Sequence, residues 1–313
     1  MLDTLAKRLL QSIPVLIGVL VLGFLLVQLS PGDPARVFAG AMAPPEVVEQ
    51  IREKMGLDRS LWTQFWGYVE RVMHGDLGRS FISNKTVTSE LLAAIVPTME
   101  LMIACLIWSI PLGIGMGTLA AVWRGSLVDR AVMAFSVAGV SLPIFFICLL
   151  LIQWFGVKWQ LFPFIGRGGP LWTVEGLRHI ALPALSLGLI FIGPVARMTR
   201  SSVLEVLRLD HVRTARSKGL NESQVILRHG LRNALIPVVT LVGLQAGYLL
   251  GGAVVTETVF SYPGIGRLSV GAILSADYPL AQGCILVLAL AFIIINMIVD
   301  ILYAILDPRV QKR

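Results

Sequence analysis

The stretch of sequence that decides the fold runs from Tyr278 to Val299 and reads YPLAQGCILVLALAFIIINMIV. None of its 22 residues is Asp, Glu, Lys or Arg. A helix of about 20 apolar residues crosses the hydrocarbon core of a bilayer, which is roughly 30 Å thick. A strand of a membrane barrel would alternate in polarity from residue to residue, and this stretch does not. The pattern therefore predicts a transmembrane helix.

Five further runs without a charged residue extend this pattern along the chain. They are Leu9 to Gly32, Leu101 to Trp123, Ala131 to Val157, His179 to Ala196 and Asn233 to Thr256. The run from His179 is the shortest, and it spans the bilayer only if its helix extends to Thr199. With 56% hydrophobic and only 14% charged residues among 313, the composition argues against a water-soluble enzyme. We predict an all-α membrane protein with six transmembrane helices.

The first apolar run also has the features of a secretory signal peptide, because Lys7 and Arg8 precede it. It is longer than the roughly 7 to 15 residues of a signal-peptide core, and no small-x-small cleavage site follows it. We therefore expect Leu9 to Leu29 to remain as a membrane anchor.

The distribution of Lys and Arg predicts the orientation. Six spans place both termini on one side; if that side is the cytoplasm, it carries 15 of the 26 basic residues. Eight of these 15 lie between Arg197 and Arg232. Seven of the remaining 11 lie in one long loop, which is translocated largely regardless of its charge. We predict cytoplasmic N- and C-termini, and attribute the net charge of +7 to this bias rather than to nucleic-acid binding.

The first loop, from Pro31 to about Leu92, is predicted to hold two short amphipathic helices. One begins at Pro44 and Pro45 and stops at Gly56. The other ends before Gly75 and carries its apolar residues on one stripe. That stripe consists of Leu61, Trp62, Phe65, Trp66, Val69, Val72 and Met73. Such a stripe can bind a partner or lie in the membrane interface, but packing onto the rest of the protein is the favoured interpretation.

A second loop, from about Ser201 to Arg232, carries strong signals for two short helices. Asp210 is a suitable N-cap for a helix from His211 to Lys218, and Gly219 suits the left-handed residue that ends it. Asn221 then caps a second helix, with Gln224 as its capping-box partner. An exposed basic helix between two spans suits docking to a cytoplasmic protein, and an ordinary solvated connector is the alternative.

Motifs for catalysis and metal binding are absent from the sequence. It contains no Walker A loop, no Gly-x-Ser-x-Gly elbow and no His-Glu-x-x-His pair, and its four histidines occur singly. Cys105, Cys148 and Cys284 fall inside predicted spans, which favours burial over disulfide formation. We therefore predict no catalytic residue, no metal site and no enzymatic activity in this chain.

Few ionisable residues approach the predicted spans. Glu100 and Asp300 come nearest, and each lies by the end of its run. An ion-coupled transporter or a channel is the less favoured interpretation, because a proton or ion relay usually needs more buried charge.

Prolines and glycines within the spans predict how the helices pack. Five prolines indicate kinks: Pro111, Pro143, Pro183, Pro194 and Pro237. Gly243, Gly247 and Gly251 recur every four residues on the fifth span and predict a close helix contact. We expect that contact to lie within the chain.

The segments Asp210 to Gly219, DHVRTARSKG, and Arg228 to Val239, RHGLRNALIPVV, resemble the EAA loop of ABC importer permeases. The resemblance is to the dipeptide, oligopeptide and nickel branch, including glutathione-like members, and specifically to its B-type subunit. Similar segments follow in order along almost the whole chain. They are Lys7 to Leu10, Leu29 to Ala35, Gly56 to Asp58, Gly75 to Gly78, Arg197 to Ser201, Phe260 to Arg267 and Asp277 to Pro279.

The resemblance implies a fold and a domain organisation. The expected fold is the MetI-like type I ABC importer transmembrane domain with a short helical extracytoplasmic segment. Residues 1–30 would form an N-terminal transmembrane helix and residues 31–88 the extracytoplasmic segment. Residues 89–307 would form the core, with the coupling loop at 201–234, and residues 308–313 a cytoplasmic tail.

The resemblance also implies a function and partners. The chain would be a permease subunit in a bacterial inner membrane, pairing with a homologous permease, two ABC ATPases and an extracytoplasmic solute-binding protein. ATP and Mg²⁺ would be bound by the ATPases, and this chain would hold no cofactor. The expected cargo is a dipeptide or oligopeptide, with glutathione or nickel as alternatives. The resemblance identifies no substrate-binding residues.

The resemblance assigns coupling residues to the predicted helix after the fourth span. In this family that helix inserts into a groove on an ATPase subunit. The coupling residues are Asp210, Arg213, Thr214, Ala215, Arg216, Ser217, Lys218 and Gly219.

Overall fold

The structure, a computed structural model, describes residues 2–29, 33–40 and 42–306. The predicted tail at 308–313 and the side chain of Asp300 lie outside this description. Within the described residues, the only extended pairing is an isolated bridge between Arg79 and Thr86. The prediction of an all-α protein is confirmed.

The chain forms thirteen α-helical elements within the described residues. In order they are α1 (Leu2–Leu29), α2 (Pro34–Ala39), α3 (Pro45–Met55), α4 (Leu61–Met73), α5 (Val87–Val122), α6 (Leu127–Ser141), α7 (Ile144–Leu151), α8 (Val174–Val206), α9 (Asp210–Ser217), α10 (Glu222–Gln224), α11 (Arg232–Val259), α12 (Ile265–Leu274) and α13 (Tyr278–Leu306). Two π-helical turns, Ile152–Lys158 and Val225–Leu231, extend α7 and join α10 to α11.

Five described helices are long and apolar enough to cross a membrane. They are Leu10–Leu29, Val87–Val122, Val174–Val206, Glu222–Val259 and Tyr278–Val299. The fourth predicted span needed a helix that reached Thr199, and α8 continues past it to Val206. A sixth crossing exists only if α6 and the extended α7 form one span.

The predicted third span, Ala131 to Val157, is not one continuous helix. The chain bends by 105° between α6 and α7. Leu142, with ψ of 131°, is extended because the ring of the following Pro143 disfavours a helical conformation there. Pro183, Pro194 and Pro237 lie inside continuous helices, so a proline by itself did not predict where the chain would break.

The described chain divides into two compact units. The first comprises Leu2–Thr98 and Pro263–Ile294, and the second comprises Met99–Tyr262 with the chain from Ile295 onward. In the first unit, an apolar core joins the start of α5 to α12 and α13. Its buried members are Val87, Leu91, Ala94, Ile265, Ala272, Leu280, Ala281 and Cys284.

The loop between α1 and α5 confirms the two predicted amphipathic helices. α3 ends at Gly56, whose φ of +68° is the left-handed conformation that glycine adopts without strain. α4 ends at Met73, two residues before Gly75. Ser80 and the backbone N–H of Phe81 (3.1 Å) donate to the buried carboxylate of Asp277, which fastens this loop to the start of α13.

In the second unit, α8 packs against α6, α7 and α11. Glycines on α8 and on the neighbouring α5 permit close approach of helix backbones. A Cβ atom at Gly193 would lie 2.5 Å from the carbonyl oxygen of Ser136, and one at Gly117 would lie 2.4 Å from that of Ala196. Sixteen residues of α8 are buried, so this helix forms the centre of the unit's core.

Candidate coupling site

The segment after α8 forms the short helix α9, close to where the sequence predicts it. Its first residue is Asp210, and the N-cap position is occupied by Leu209 without a side-chain hydrogen bond. The predicted N-cap role of Asp210 is therefore wrong: its negative charge lies in the first turn, where the helix dipole favours it. Gly219, with φ of +77°, has the predicted left-handed conformation after Lys218.

One face of α9 is buried within the chain. Val212 is fully buried and Ala215 is 5% exposed. Both pack against Val225 at the start of the following helix, and against Val206 and Leu207 at the end of α8. Residues three apart lie on one face of a helix, so both contacts attach the same face of α9 to its own chain.

Polar contacts tie both ends of α9 to the helix that follows. The Arg216 guanidinium donates to the Glu222 carboxylate at 2.6 and 3.2 Å, and this carboxylate raises the pKa of Arg216. Near the other end, the Asn233 side-chain nitrogen lies 3.2 Å from Nε2 of His211. Both members of the Arg216–Glu222 pair are exposed, which limits its contribution to about 1 kcal/mol or less. The buried apolar contacts therefore hold α9 more strongly than the ion pair does.

The second helix predicted in this loop is not a separate element. Asn221 caps it as predicted, since its side-chain oxygen accepts from the backbone N–H of Gln224 at 2.8 Å. The helix then continues without a break from Glu222 to Val259. The connection between α9 and the next long helix is therefore only the four residues 218–221.

The opposite face of α9 is exposed in the described part of the chain. The side chain of Arg213 is 76% exposed and lies 3.8 Å from the carboxylate of Asp210 one turn earlier. Thr214 and Ser217 lie on the same exposed face and donate to backbone oxygens within the helix. Seven of the eight predicted coupling residues are exposed, and Ala215 is the exception. The structure places Ala215 in the packing under the helix rather than on the surface that faces outward.

A basic cleft opens beside the start of α9. It has a volume of about 450 Å³ and is lined by three arginines, Arg124, Arg200 and Arg208, together with Glu205. Arg200 is held by the buried Asp129, to which it donates at 2.5 and 2.7 Å. The backbone N–H of Gly125 also donates to Asp129, at 2.9 Å. These contacts join α8 to the first turn of α6 and to the turn before it.

The sequence interpretation did not identify Asp129. The signal for it was weak: a single Asp that follows a turn containing Gly125 and Ser126. Its partner, Arg200, is 71 residues away, and no local periodicity connects the two.

A second polar cluster in the same unit surrounds Glu100. Arg167 donates to its carboxylate at 2.8 and 3.0 Å, and the backbone N–H of Leu171 is 3.4 Å away. Nearby, burial raises the pKa of the Tyr262 phenol, and the Glu100 carboxylate adds to this effect. Glu100 is thus the partner of an arginine in the loop before α8, a role that its position near the end of an apolar run did not suggest.

The three glycines of α11 have different surroundings. A Cβ atom at Gly243 would lie 2.0 Å from a methyl group of Val299 on α13, which shows a close approach inside the chain. Gly247 is buried, whereas Gly251 is exposed and has open space around it. Within the described residues, no three His, Cys, Asp or Glu side chains are close enough to hold a metal ion.

Comparison with known proteins identifies relatives over the whole chain. The family described as "Binding-protein-dependent transport system inner membrane component" matches residues 109–312, and its N-terminal counterpart matches residues 1–114. The sequence is 45% identical over 313 residues to the glutathione transport system permease protein GsiC of Escherichia coli K12, and equally to that of Salmonella choleraesuis. Each alignment covers all of both chains.

A solved structure of an amino acid ABC transporter with histidines also matches. It has a TM-score of 0.48 and 15% sequence identity, and the match covers 71% of this chain and 94% of that one.

Proposed function

The chain belongs to the family of binding-protein-dependent transport system inner membrane components, and from this premise we propose that its cargo is a short peptide, with glutathione as the first candidate. The protein is the permease subunit of an ABC importer in the inner membrane. The cargo proposal is supported by the 45% identity to permeases named for glutathione transport, across the full length of both chains. That observation moves glutathione ahead of the dipeptides and oligopeptides favoured by the sequence motifs.

The family membership implies ATPase and binding-protein partners in general. We propose the specific assembly: this chain, a homologous permease, two ATPases and one extracytoplasmic solute-binding protein. Both termini and α9 lie in the cytoplasm in this proposal. The orientation is supported by the eight basic residues between Arg197 and Arg232, which cytoplasmic loops favour.

Within this assembly, α9 is proposed to be the element that docks onto an ATPase. This role is supported by the fact that α9 has one buried apolar face and one exposed polar face. Val212 and Ala215 fasten it to its own chain, while Arg213, Thr214 and Ser217 face outward. A polar, cationic helix face suits a water-soluble partner with acidic or hydrogen-bonding groups.

Movement of α9 would reach the membrane through the helix that follows it. The buried contact with Val225 and the ion pair to Glu222 join α9 to the first turns of that helix. Because the helix continues unbroken to Val259, a displacement of α9 is expected to move its whole length. ATP-driven closure of the ATPases would use this connection to switch the cavity between outward and inward access.

The cargo proposal is tested with the complete importer in proteoliposomes. We expect uptake of labelled glutathione that requires both ATP and the binding protein, and that exceeds uptake of a simple dipeptide. Preferential uptake of the dipeptide would overturn the glutathione assignment. Flux through this chain alone, without ATP or partners, would contradict the importer function itself.

The coupling role of α9 is tested at Gly219. A Gly219→Val variant forces a β-branched residue into the left-handed conformation, at a cost of about 1–2 kcal/mol, although the surrounding space is open. We expect about tenfold less transport and less transport-stimulated ATPase activity, with subunit assembly retained. Gly219→Asn is the matched control, because Asn tolerates this conformation, and it should stay near wild type. Normal coupling in the Val variant would refute the assignment.

A further inference from the structure

The apolar stripe predicted for α4 does not pack as a whole onto the rest of the described chain: the structure divides the apolar residues of this helix into two faces. Phe65 and the buried Tyr68 face α1, where the rings of Phe65 and Phe24 meet edge to face with centroids 5.4 Å apart. Trp62, Trp66 and Met73 form a second stripe that is 70%, 58% and 79% exposed. Spacings of four and seven residues place these three side chains on one line along the helix. Within the described residues, nothing covers that line.

The contacts of α4 with α1 define its depth along the first span. Besides the Phe24 contact, the Gln28 side chain donates to Gln64 at 2.9 Å, and a Cβ atom at Gly23 would lie 3.2 Å from the Tyr68 hydroxyl. All these contacts fall within the last seven residues of α1, which ends at Leu29. With a rise of 1.5 Å per residue, Phe24 lies about 8 Å from the end of that helix. α4 therefore packs beside the final two turns of a membrane span.

The neighbouring surface of α1 is itself apolar and exposed. Leu22, Leu25 and Leu29 are 63%, 39% and 78% exposed, and only 6% of the span is buried. In a membrane protein, such a surface contacts lipid. Because the 20-residue apolar span ends at Leu29, its last turns are expected where the hydrocarbon core meets the headgroups, with α4 beside them.

We propose that α4 is an interfacial helix that lies in the phospholipid headgroup layer and turns Trp62, Trp66 and Met73 toward the lipid. Trp is enriched at this depth because its ring is mostly apolar while its N–H group remains near water. Amphipathic helices with one aromatic face bind the boundary between headgroups and acyl chains. The exposed stripe continues the lipid-facing surface of α1, which favours lipid over a water-soluble protein as its occupant.

Site-directed spin labelling tests this proposal in the assembled importer in nanodiscs. Trp62→Cys, Trp66→Cys and Met73→Cys carry the label on the stripe. Thr63→Cys and Arg71→Cys are matched controls at exposed positions of α4 away from the stripe. The three native cysteines are buried and should not compete for the reagent. We expect a ratio of oxygen to nickel-chelate accessibility at least threefold higher on the stripe than at the controls.

Equal ratios at all five positions would overturn the proposal. It would also be overturned if the stripe were water-accessible until the solute-binding protein was added, because the surface would then be a protein docking site. A second measurement does not depend on cysteine variants. Brominated phospholipids should quench Trp fluorescence in the native chain, and the quenched component should decrease at least twofold in the Trp62→Phe, Trp66→Phe double variant.

Discussion

The helices α9 and α4 have similar amphipathic sequences, but the structure exposes polar side chains on α9 and apolar side chains on α4. Each is a short amphipathic helix between two long apolar segments. α9 buries its apolar residues Val212 and Ala215 on its own chain and exposes polar side chains. α4 buries Tyr68 but leaves Trp62 and Trp66 exposed.

This difference indicates whether the exposed face of each helix contacts water or lipid. A face with exposed cationic and hydroxyl side chains remains favourable in water and can bind a soluble partner. Exposure of indole rings to water is unfavourable, whereas their placement in a lipid interface is favourable. The exposed chemistry, and not amphipathicity alone, therefore separates the two functions.

The largest expected effect comes from a charge placed at the buried side of α9. Val212→Asp would put a carboxylate into a fully buried, apolar site, which costs several kcal/mol. We expect α9 to detach and transport to fall at least a hundredfold. Thr63→Asp on α4 is the comparison, because its side chain is exposed and lies off the stripe of Trp62, Trp66 and Met73, and transport should remain within about threefold.

Assembly by size-exclusion chromatography and uptake in proteoliposomes measure these two variants. Similar losses in both would remove the distinction between a packed helix and a helix exposed to its surroundings.

An intermediate effect is expected where α4 attaches to α1. Phe65→Ala removes an edge-to-face aromatic contact worth about 0.5–1.5 kcal/mol beyond the lost apolar burial. We expect α4 to loosen from α1 and limited trypsin cleavage near Arg71 to become several-fold faster. Phe65→Tyr keeps the ring and serves as the control. Unchanged cleavage in the Ala variant would mean that other contacts hold α4 at this depth.

The smallest effect is expected at the exposed ion pair under α9. Glu222→Gln removes a charge from a pair whose members are 41% and 57% exposed, and such pairs contribute about 1 kcal/mol or less. Coupled transport should fall by no more than about threefold at low salt and match the wild type at high salt, where charges are screened. A loss of tenfold or more would make the ion pair, and not the packing of Val212, the main attachment of α9.

Much of the local structure followed from short-range signals. Gly56 and Gly219 end α3 and α9 in left-handed conformations, and Asn221 caps the next helix, as predicted. These features depend on the backbone of a few consecutive residues, which the sequence displays directly. The apolar runs likewise predicted the long helices, because a bilayer requires about 20 apolar residues per crossing.

Other features depended on residues far apart in the chain. Arg167 binds Glu100 across 67 positions, and Ser80 binds Asp277 across 197. No periodicity connects such partners. The sequence also did not predict the bend at Leu142, because Pro143 follows a break in the helix whereas Pro183 and Pro194 lie inside a continuous one. Neighbouring helices decide whether the groups freed by a proline are satisfied in place.

The sequence by itself determined that the protein lies in a membrane, where most of its long helices run and which family it belongs to. Hydropathy, capping residues and motifs are local features of a few helical turns, so they can be recognised in the sequence alone. Only the tertiary structure decided which side of each amphipathic helix is covered. Burial is a property of the packed neighbours, and it turned Ala215 into a packing residue and left Trp62 and Trp66 facing outward.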